Sequence, residues 1–183
     1  MTFQFDPSFD AESLHMPGDS LIELDQIESS LRILLPSELR DLFIEFGSAI
    51  VFNKDVEFPA EKCAYSEDSG RIGVSVIYGP ADGSLGIIRI NEQLSMQIPK
   101  TSVVFAEIGL GNMLLIDRID GKISVWLHDE ALPSRAITPV YDSFHDFIDA
   151  LVAFDPPPLP SLKELGLDLK AMGIEEELSL IHI

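Results

Sequence analysis

A change of hydrophobic period along the chain constrains the fold most strongly. From Ala49 to Val140 the sequence consists of short runs of β-branched and aromatic residues, interrupted by Gly, Pro, Asn and Asp. Such runs predict strands, and no helical stretch of crossover length separates them, so the sheet is expected to be mostly antiparallel. The predicted strands are Ile50–Phe52, Ile72–Tyr78, Gly86–Ile90, Val103–Ile108, Met113–Asp117, Ile123–His128 and Ile137–Val140.

Segments with helical spacing flank this region. Ser20 and Glu23 show a capping-box spacing at the start of the first, Ser37 is expected to cap the second, and Gly47 is expected to end it. The spacing of apolar residues predicts helices over 21–33, 37–46 and 143–153. The predicted fold class is therefore α+β, with an N-terminal helix pair and a C-terminal helix packed on a mostly antiparallel sheet.

Breaker residues suggest the domain organisation. Residues 1–19 mix polar and aromatic residues without a period, so they are expected to form an N-terminal arm. Residues 20–154 form the predicted α+β domain, in which Asp120-Gly121 marks the turn of an antiparallel hairpin over Met113–His128. The proline-rich stretch 155–160 is expected to be a stiff spacer, and residues 161–183 a C-terminal appendage.

The charge of the chain limits its partners. There are 31 Asp and Glu residues against 12 Lys and Arg, which gives a net charge of −19 with neutral histidines. A surface of that sign repels phosphate backbones and anionic lipid, so neither nucleic-acid nor membrane binding is expected. It attracts basic partners where the acidic groups share a face.

The residues offer no constellation for catalysis. Cys63 is the single cysteine, which excludes a disulfide within the chain and any site built from several cysteines. The four histidines lack paired metal-binding spacing, and the glycine-rich stretch 109–112 has no lysine and is expected to be a turn. We therefore predict no enzyme activity, metal or cofactor. Residues 1–20 have no secretory signal, and no apolar run approaches the roughly 18 residues of a membrane span, so we expect a cytoplasmic protein.

Four motifs, in order along the chain, resemble those of the SUKH superfamily of Smi/Knr-type domains. They are Leu35-Pro36-Ser37-Glu38-Leu39-Arg40-Asp41-Leu42-Phe43 followed by Phe46-Gly47; Gly111-Asn112-Met113-Leu114-Leu115-Ile116-Asp117; Gly121-Lys122-Ile123-Ser124-Val125-Trp126-Leu127-His128-Asp129-Glu130; and Asp142-Ser143-Phe144-His145-Asp146-Phe147-Ile148. The resemblance covers about residues 20–154.

The resemblance implies an α+β domain without agreed catalytic residues. It also implies a role in protein binding, because many bacterial members of that superfamily are immunity proteins. These bind and silence a polymorphic toxin, often a nuclease or a nucleic-acid deaminase. Fungal relatives act as regulatory scaffolds in cell-wall signalling. The first hypothesis is therefore a non-catalytic immunity protein with a basic toxin domain as its partner. The alternative is a regulatory or scaffold domain that uses its C-terminal tail as a docking element.

Two sets of residues follow as predictions. Loops on a rigid scaffold commonly carry recognition, so the acidic residues at turns and strand ends are the candidate partner-binding groups; a solvated charge is the alternative reading of each. These residues are Glu67, Asp68, Asp82, Asp129 and Glu130. The predicted buried core includes Leu35, Phe43, Trp126, Phe144 and Phe147.

Overall fold

The computed structural model describes residues 4–154, without the side chains of residues 67–69 and 133–134. The strands are β1 Ala11–Leu14, β2 Ala49–Phe52, β3 Asp55–Pro59, β4 Arg71–Gly73, β5 Val76–Ile77, β6 Ser102–Glu107, β7 Met113–Asp117, β8 Ile123–Trp126, β9 Ile137–Tyr141 and β10 Val152–Phe154. They form a seven-stranded sheet in the order β1-β2-β5-β6-β7-β8-β9 and a three-stranded sheet in the order β10-β3-β4. Neighbouring strands in both sheets are antiparallel.

The helices pack around these sheets. They are α1 Leu24–Leu31, α2 Ser37–Phe46, α3 Ile87–Leu94, α4 Pro133–Ala136 and α5 Phe144–Asp149, with 3-10 helices at Pro7–Phe9 and Ala64–Ser69. Helix α1 contacts α3, α3 contacts β6, and α2 contacts α5. The α+β class with a mostly antiparallel sheet is confirmed.

The second helix and the central hairpin match their predictions closely. Helix α2 has the predicted bounds, and Gly47 ends it in the left-handed conformation at φ 65°. Strands β7 and β8 pair from Met113 opposite Trp126 to Ile116 opposite Ile123. Gly121 in the turn has φ 73°, which explains why a glycine is suited to that position.

The predicted helix caps before α1 and α2 are wrong. Helix α1 begins at Leu24 rather than 21, and Glu23 at its N-cap makes no side-chain capping bond. The cause is a tertiary contact: the N–H of Ser20 donates to Asp82 Oδ1 at 2.8 Å, and an isolated bridge between Leu21 and Ala81 keeps this segment extended. Ser37 is already the first residue of α2, so it does not cap the helix.

One predicted strand and one predicted helix end are also wrong. The run Gly86–Ile90, predicted as a strand, is the N-cap and first turn of α3. The third predicted helix ends at Asp149 instead of 153, and the chain then enters β10. Its start is confirmed, because the Ser143 hydroxyl accepts a hydrogen bond from the N–H of Asp146 at 3.0 Å.

Part of the segment predicted as an arm joins the larger sheet. Strand β1 forms its edge and pairs with β2, from Ala11 opposite Phe52 to Leu14 opposite Ala49. The ring of Phe5 lies 5.4 Å from that of Phe52 and 6.0 Å from that of Phe46. Aromatic packing therefore holds this segment against β2 and α2.

A single apolar core connects the helices with both sheets. All five residues predicted to be buried belong to it, which confirms that prediction. The ring of Phe147 in α5 contacts Phe105 of β6 at 5.5 Å and Phe58 of β3 at 5.4 Å, so α5 links the two sheets. Within residues 4–154, no helix is long and apolar enough to cross a membrane.

Candidate partner-binding surface

Two loops meet at the edge of the larger sheet where β6 and β8 end and β7 begins. We call this edge the Trp126 end. The turn 108–112 joins β6 to β7, and the loop 127–132 follows β8. Met113 of β7 pairs with Trp126 of β8. The residues that precede Met113 and those that follow Trp126 are therefore neighbours. This end of the sheet therefore presents one continuous surface built on paired strands.

The side chain of Asn112 fixes the loop that follows β8. Asn112 is buried, and its Oδ1 accepts the backbone N–H of His128 at 3.2 Å. His128 Nδ1 lies 3.2 Å from the same oxygen. A backbone N–H can only donate, so the Asn112 side-chain oxygen acts as its acceptor. His128 is therefore held in one orientation as the chain leaves the sheet.

Gly111 allows the His128 ring to lie close to the turn. Its φ is 79°, and a Cβ at this position would lie 3.3 Å from His128 Nδ1. A side chain here would be strained both by the left-handed backbone and by the imidazole. Gly111 and Asn112 are therefore both suited to their positions by their contacts with His128 in the neighbouring loop.

The same loop carries one exposed and one half-buried acidic residue. Asp129 is 88% exposed, and its Oδ1 lies 2.8 Å from His128 Nε2. Glu130 Oε1 accepts the N–H of Leu132 at 3.0 Å, which holds the next part of the loop. The Asp129 carboxylate is therefore at the surface, beside a histidine whose backbone N–H donates to Asn112.

Two exposed leucines accompany these acids, and the sequence analysis did not single them out. Leu110 lies at the tip of the turn with 79% of its surface exposed, and Leu132 lies three residues beyond Asp129 and is also exposed. Apolar anchors beside charged groups are typical of protein interfaces. The sequence does contain a signal for Leu110, because an apolar residue stands between two glycines in a predicted turn. Neither neighbour has a side chain that could cover it.

The 3-10 helix Ala64–Ser69 lies beside the same turn. The hydroxyl of Tyr65 donates to the carbonyl of Ile108 at 3.3 Å. Glu67 and Asp68 belong to this helix, and their side chains are outside the described part of the structure.

Glu107 adds another acidic group that the sequence analysis missed. It is the last residue of β6, and its Oε2 accepts a hydrogen bond from the Tyr78 hydroxyl at 3.2 Å. Burial and the nearby Glu107 carboxylate raise the pKa of Tyr78, so this hydroxyl stays protonated and able to donate. Tyr78 therefore positions the Glu107 carboxylate at the edge of the surface.

Asp82 does not belong to this surface. It lies beyond β5, in the segment that leads away from the Trp126 end. Its Oδ1 accepts the N–H of Ser20, and its own N–H donates to the Ser20 carbonyl at 3.1 Å. Asp82 therefore fixes the chain before α1, and the structure separates it from Asp129 and Glu130.

The described residues show no arrangement suited to a metal. Among the side chains that the structure describes, no group of three or more from His, Cys, Asp and Glu could hold a metal ion. Cys63 is a free thiol and is buried. What this surface offers chemically is recognition by carboxylates and leucines on a fixed backbone.

Comparison with known proteins identifies the family. The model of the SMI1/KNR4 family, also called SUKH-1, matches residues 20–150, which include α1, α2, the larger sheet from β2 to β9 and α5. The chain belongs to the SUKH-1 family. Members of SUKH-1 are known for toxin immunity and related roles.

A prophage protein is also similar to this chain. The SPbeta prophage-derived uncharacterized protein YokK of Bacillus subtilis (strain 168) is 23% identical over 141 residues, which cover 71% of this chain and 73% of YokK. No solved structure is significantly similar to this chain.

Proposed function

We propose that this protein is an immunity protein that binds and neutralises a basic polymorphic toxin domain through the Trp126 end of its larger sheet, without catalysis of its own. The observation that carries the proposal is that exposed Asp129 shares its loop with exposed Leu132, and that Asn112 joins this loop to the turn that carries exposed Leu110. Membership of SUKH-1 supports the immunity role.

The chemistry of this surface suits a cationic protein partner. Exposed leucines supply apolar area that is released from water on binding, and the carboxylates around them select a positively charged surface. A nuclease toxin fits this description, because it needs a basic groove for its own phosphate substrate. An acidic partner bound over that groove would block the substrate by occupying its place.

Fixed geometry also favours inhibition. Loops that are already held in the bound conformation lose less conformational entropy on association. The bonds from Asn112 to His128 and from Glu130 to Leu132 provide that order before any partner arrives. We therefore expect the free and bound loops to share one backbone conformation.

The first experiment tests the biological role. The full chain is co-expressed with the C-terminal domain of the neighbouring toxin, if the adjacent upstream reading frame encodes one. Rescue of growth and a co-purifying complex are expected. No rescue and no complex with that domain would contradict the immunity role and favour a regulatory or scaffold function.

The second experiment tests the surface. Asp129→Lys with Glu130→Lys reverses the charge of one exposed and one half-buried carboxylate there. Glu45→Lys with Glu92→Lys makes the same change in net charge on α2 and α3. Electrostatic steering predicts that the first variant lowers the association rate about tenfold or more at low salt, and the second much less. Equal losses would show that only the net charge matters and would contradict this location.

A further inference from the structure

A second surface lies at the opposite end of the larger sheet, where β7 ends and β8 begins. A groove of about 640 Å³ opens there between the turn after α1 and the turn of the β7–β8 hairpin. The side chains that define its character are Arg32, Leu34, Arg118 and Ile119.

The two walls of this groove carry large apolar side chains that face solvent. Leu34 is 85% exposed and Ile119 is 82% exposed. Leu34 lies between Ile33 and Leu35, both buried, in the turn that joins α1 to α2. Ile119 is held at the hairpin tip because its N–H donates to Asp117 Oδ1 at 2.8 Å. The backbone thus fixes both apolar groups outside the core.

Among the described residues, the groove has two arginines against one carboxylate outside any ion pair, that of Asp117, which accepts the backbone N–H groups of Ile119 and Asp120. Glu28 Oε1 already accepts hydrogen bonds from Arg40 and from the N–H of Leu35. By contrast, Arg32 makes no ion pair with any other residue in the range 4–154.

The second arginine is also incompletely paired. Arg118 donates from one terminal nitrogen to the carbonyl of Lys100, while its buried Nε has no partner among the described residues. In a chain with a net charge of −19, this groove therefore combines two cations with exposed apolar side chains. It suits an occupant that is acidic and apolar over a few residues.

The chain contains such a segment beyond the described residues. Glu175, Glu176 and Glu177 are followed directly by Leu178, and then by Leu180 and Ile181. We propose that residues 175–181 dock in this groove of the same molecule, with the glutamates on Arg32 and Arg118 and the apolar residues on Leu34 and Ile119. This is a different surface from the proposed toxin-binding one.

The connecting chain is long enough. Residues 155–174 follow β10, and when extended they span about 66 Å. The longest strand of the larger sheet, β6, has six residues and is about 20 Å long. Tethering also gives the segment an effective concentration in the millimolar range, so contacts that would be weak between molecules suffice within one.

Disulfide trapping in the full chain tests this docking. Cys63→Ala removes the native thiol, and Ile119→Cys with Leu180→Cys places one thiol on the groove and one on the segment. The comparison pair, Ile44→Cys with Leu180→Cys, has the same tether but an exposed position on α2. We expect the first pair to form its intramolecular disulfide about tenfold faster, which corresponds to about 1.4 kcal/mol of docking free energy.

Charge variants of the first pair make the test specific. Arg32→Glu should reduce its rate to that of the comparison pair, whereas Arg89→Glu, an exposed arginine on α3, should leave it unchanged. Equal rates for the two pairs, or no effect of Arg32→Glu, would overturn the proposal. A disulfide-linked dimer whose yield rises with protein concentration would show that a second copy fills the groove, and would overturn docking within one molecule.

Discussion

Phe147→Ala is expected to be among the most destabilising single truncations in the described core. The Phe147 side chain is 0% exposed. Its ring lies 5.4 Å from Phe58, 5.5 Å from Phe105, 5.9 Å from Tyr141 and 6.0 Å from Phe144. The substitution would leave a cavity where α5 meets strands from both sheets.

The size of the effect follows from the neighbours of the ring. Replacing a buried phenylalanine by alanine costs about 3–5 kcal/mol, more where the site cannot collapse. Four ring contacts from rigid elements hold this site open, so we expect about 4–5 kcal/mol for Phe147→Ala. Phe144 contacts only the rings of Phe105 and Phe147 among the described aromatic pairs, so Phe144→Ala is expected to cost about 3–4 kcal/mol.

Urea denaturation followed by the fluorescence of buried Trp126 measures these differences. The slope of unfolding free energy against urea should stay constant, which shows that only stability changed. Phe154→Ala is the matched control, because this aromatic residue is partly exposed in the short strand β10. A loss below about 1.5 kcal/mol for Phe147→Ala, or one no larger than for Phe154→Ala, would refute the reasoning.

Three further predictions concern polar and backbone features. Asn91→Ala should cost about 2–4 kcal/mol in urea denaturation, because it leaves a buried N–H and C=O of β6 unpaired. Gly111→Ala should lower the thermal stability more than Gly121→Ala. Both positions have a positive φ, so both variants carry a backbone penalty of about 1–2 kcal/mol, but only the Cβ at 111 would also meet a neighbouring side chain. Thermal unfolding of the two variants measures the difference. The Arg40 guanidinium lowers the pKa of Glu28, so the stability advantage of the native protein over Glu28→Gln should be full at neutral pH. That advantage should shrink as the pH falls through the lowered pKa, and a constant difference down to acid pH would contradict it.

Local signals predicted those elements that local interactions specify. Helix α2 has an apolar face and the stop at Gly47 within its own sequence, and the β7–β8 hairpin carries its turn in Asp120-Gly121. The start of α5 at Ser143 is equally local. The capping box at Ser20 failed because Asp82, 62 positions away, binds the same backbone. A contact of that range cannot be read from local spacing.

Helix α3 was missed for a related reason. Its inward positions Ile87, Ile90, Asn91 and Leu94 follow a helical period, but a polar residue interrupts the apolar pattern. The Asn91 amide donates to Val104 O and accepts from Val104 N, both at 2.8 Å, beside the bulge in β6. Asn91 is thus buried because it pairs with a strand backbone that is distant in sequence. In the sequence alone, a polar residue at this position is typical of a solvent-exposed site.

The candidate site was predictable only in part, since two of its features depend on strand pairing. Asp129 and Glu130 follow a recognisable strand, so their place in a loop could be predicted. The register of β7 on β8 brings the turn with Leu110 beside their loop. The direction of β5 carries Asp82 away from it. Charge alone gave no way to separate these acids.

The distance between the two proposed surfaces makes their electrostatics separable. Strand β7 runs between them, and its five residues span about 17 Å. Charges at the surface are largely screened beyond about 8 Å at physiological ionic strength. Arg32→Glu should therefore disturb the groove while leaving the association of a partner at Asp129 unchanged at that ionic strength. If Arg32→Glu altered both, the segment 175–181 would have to compete for the partner's own surface, and the two sites would not be independent.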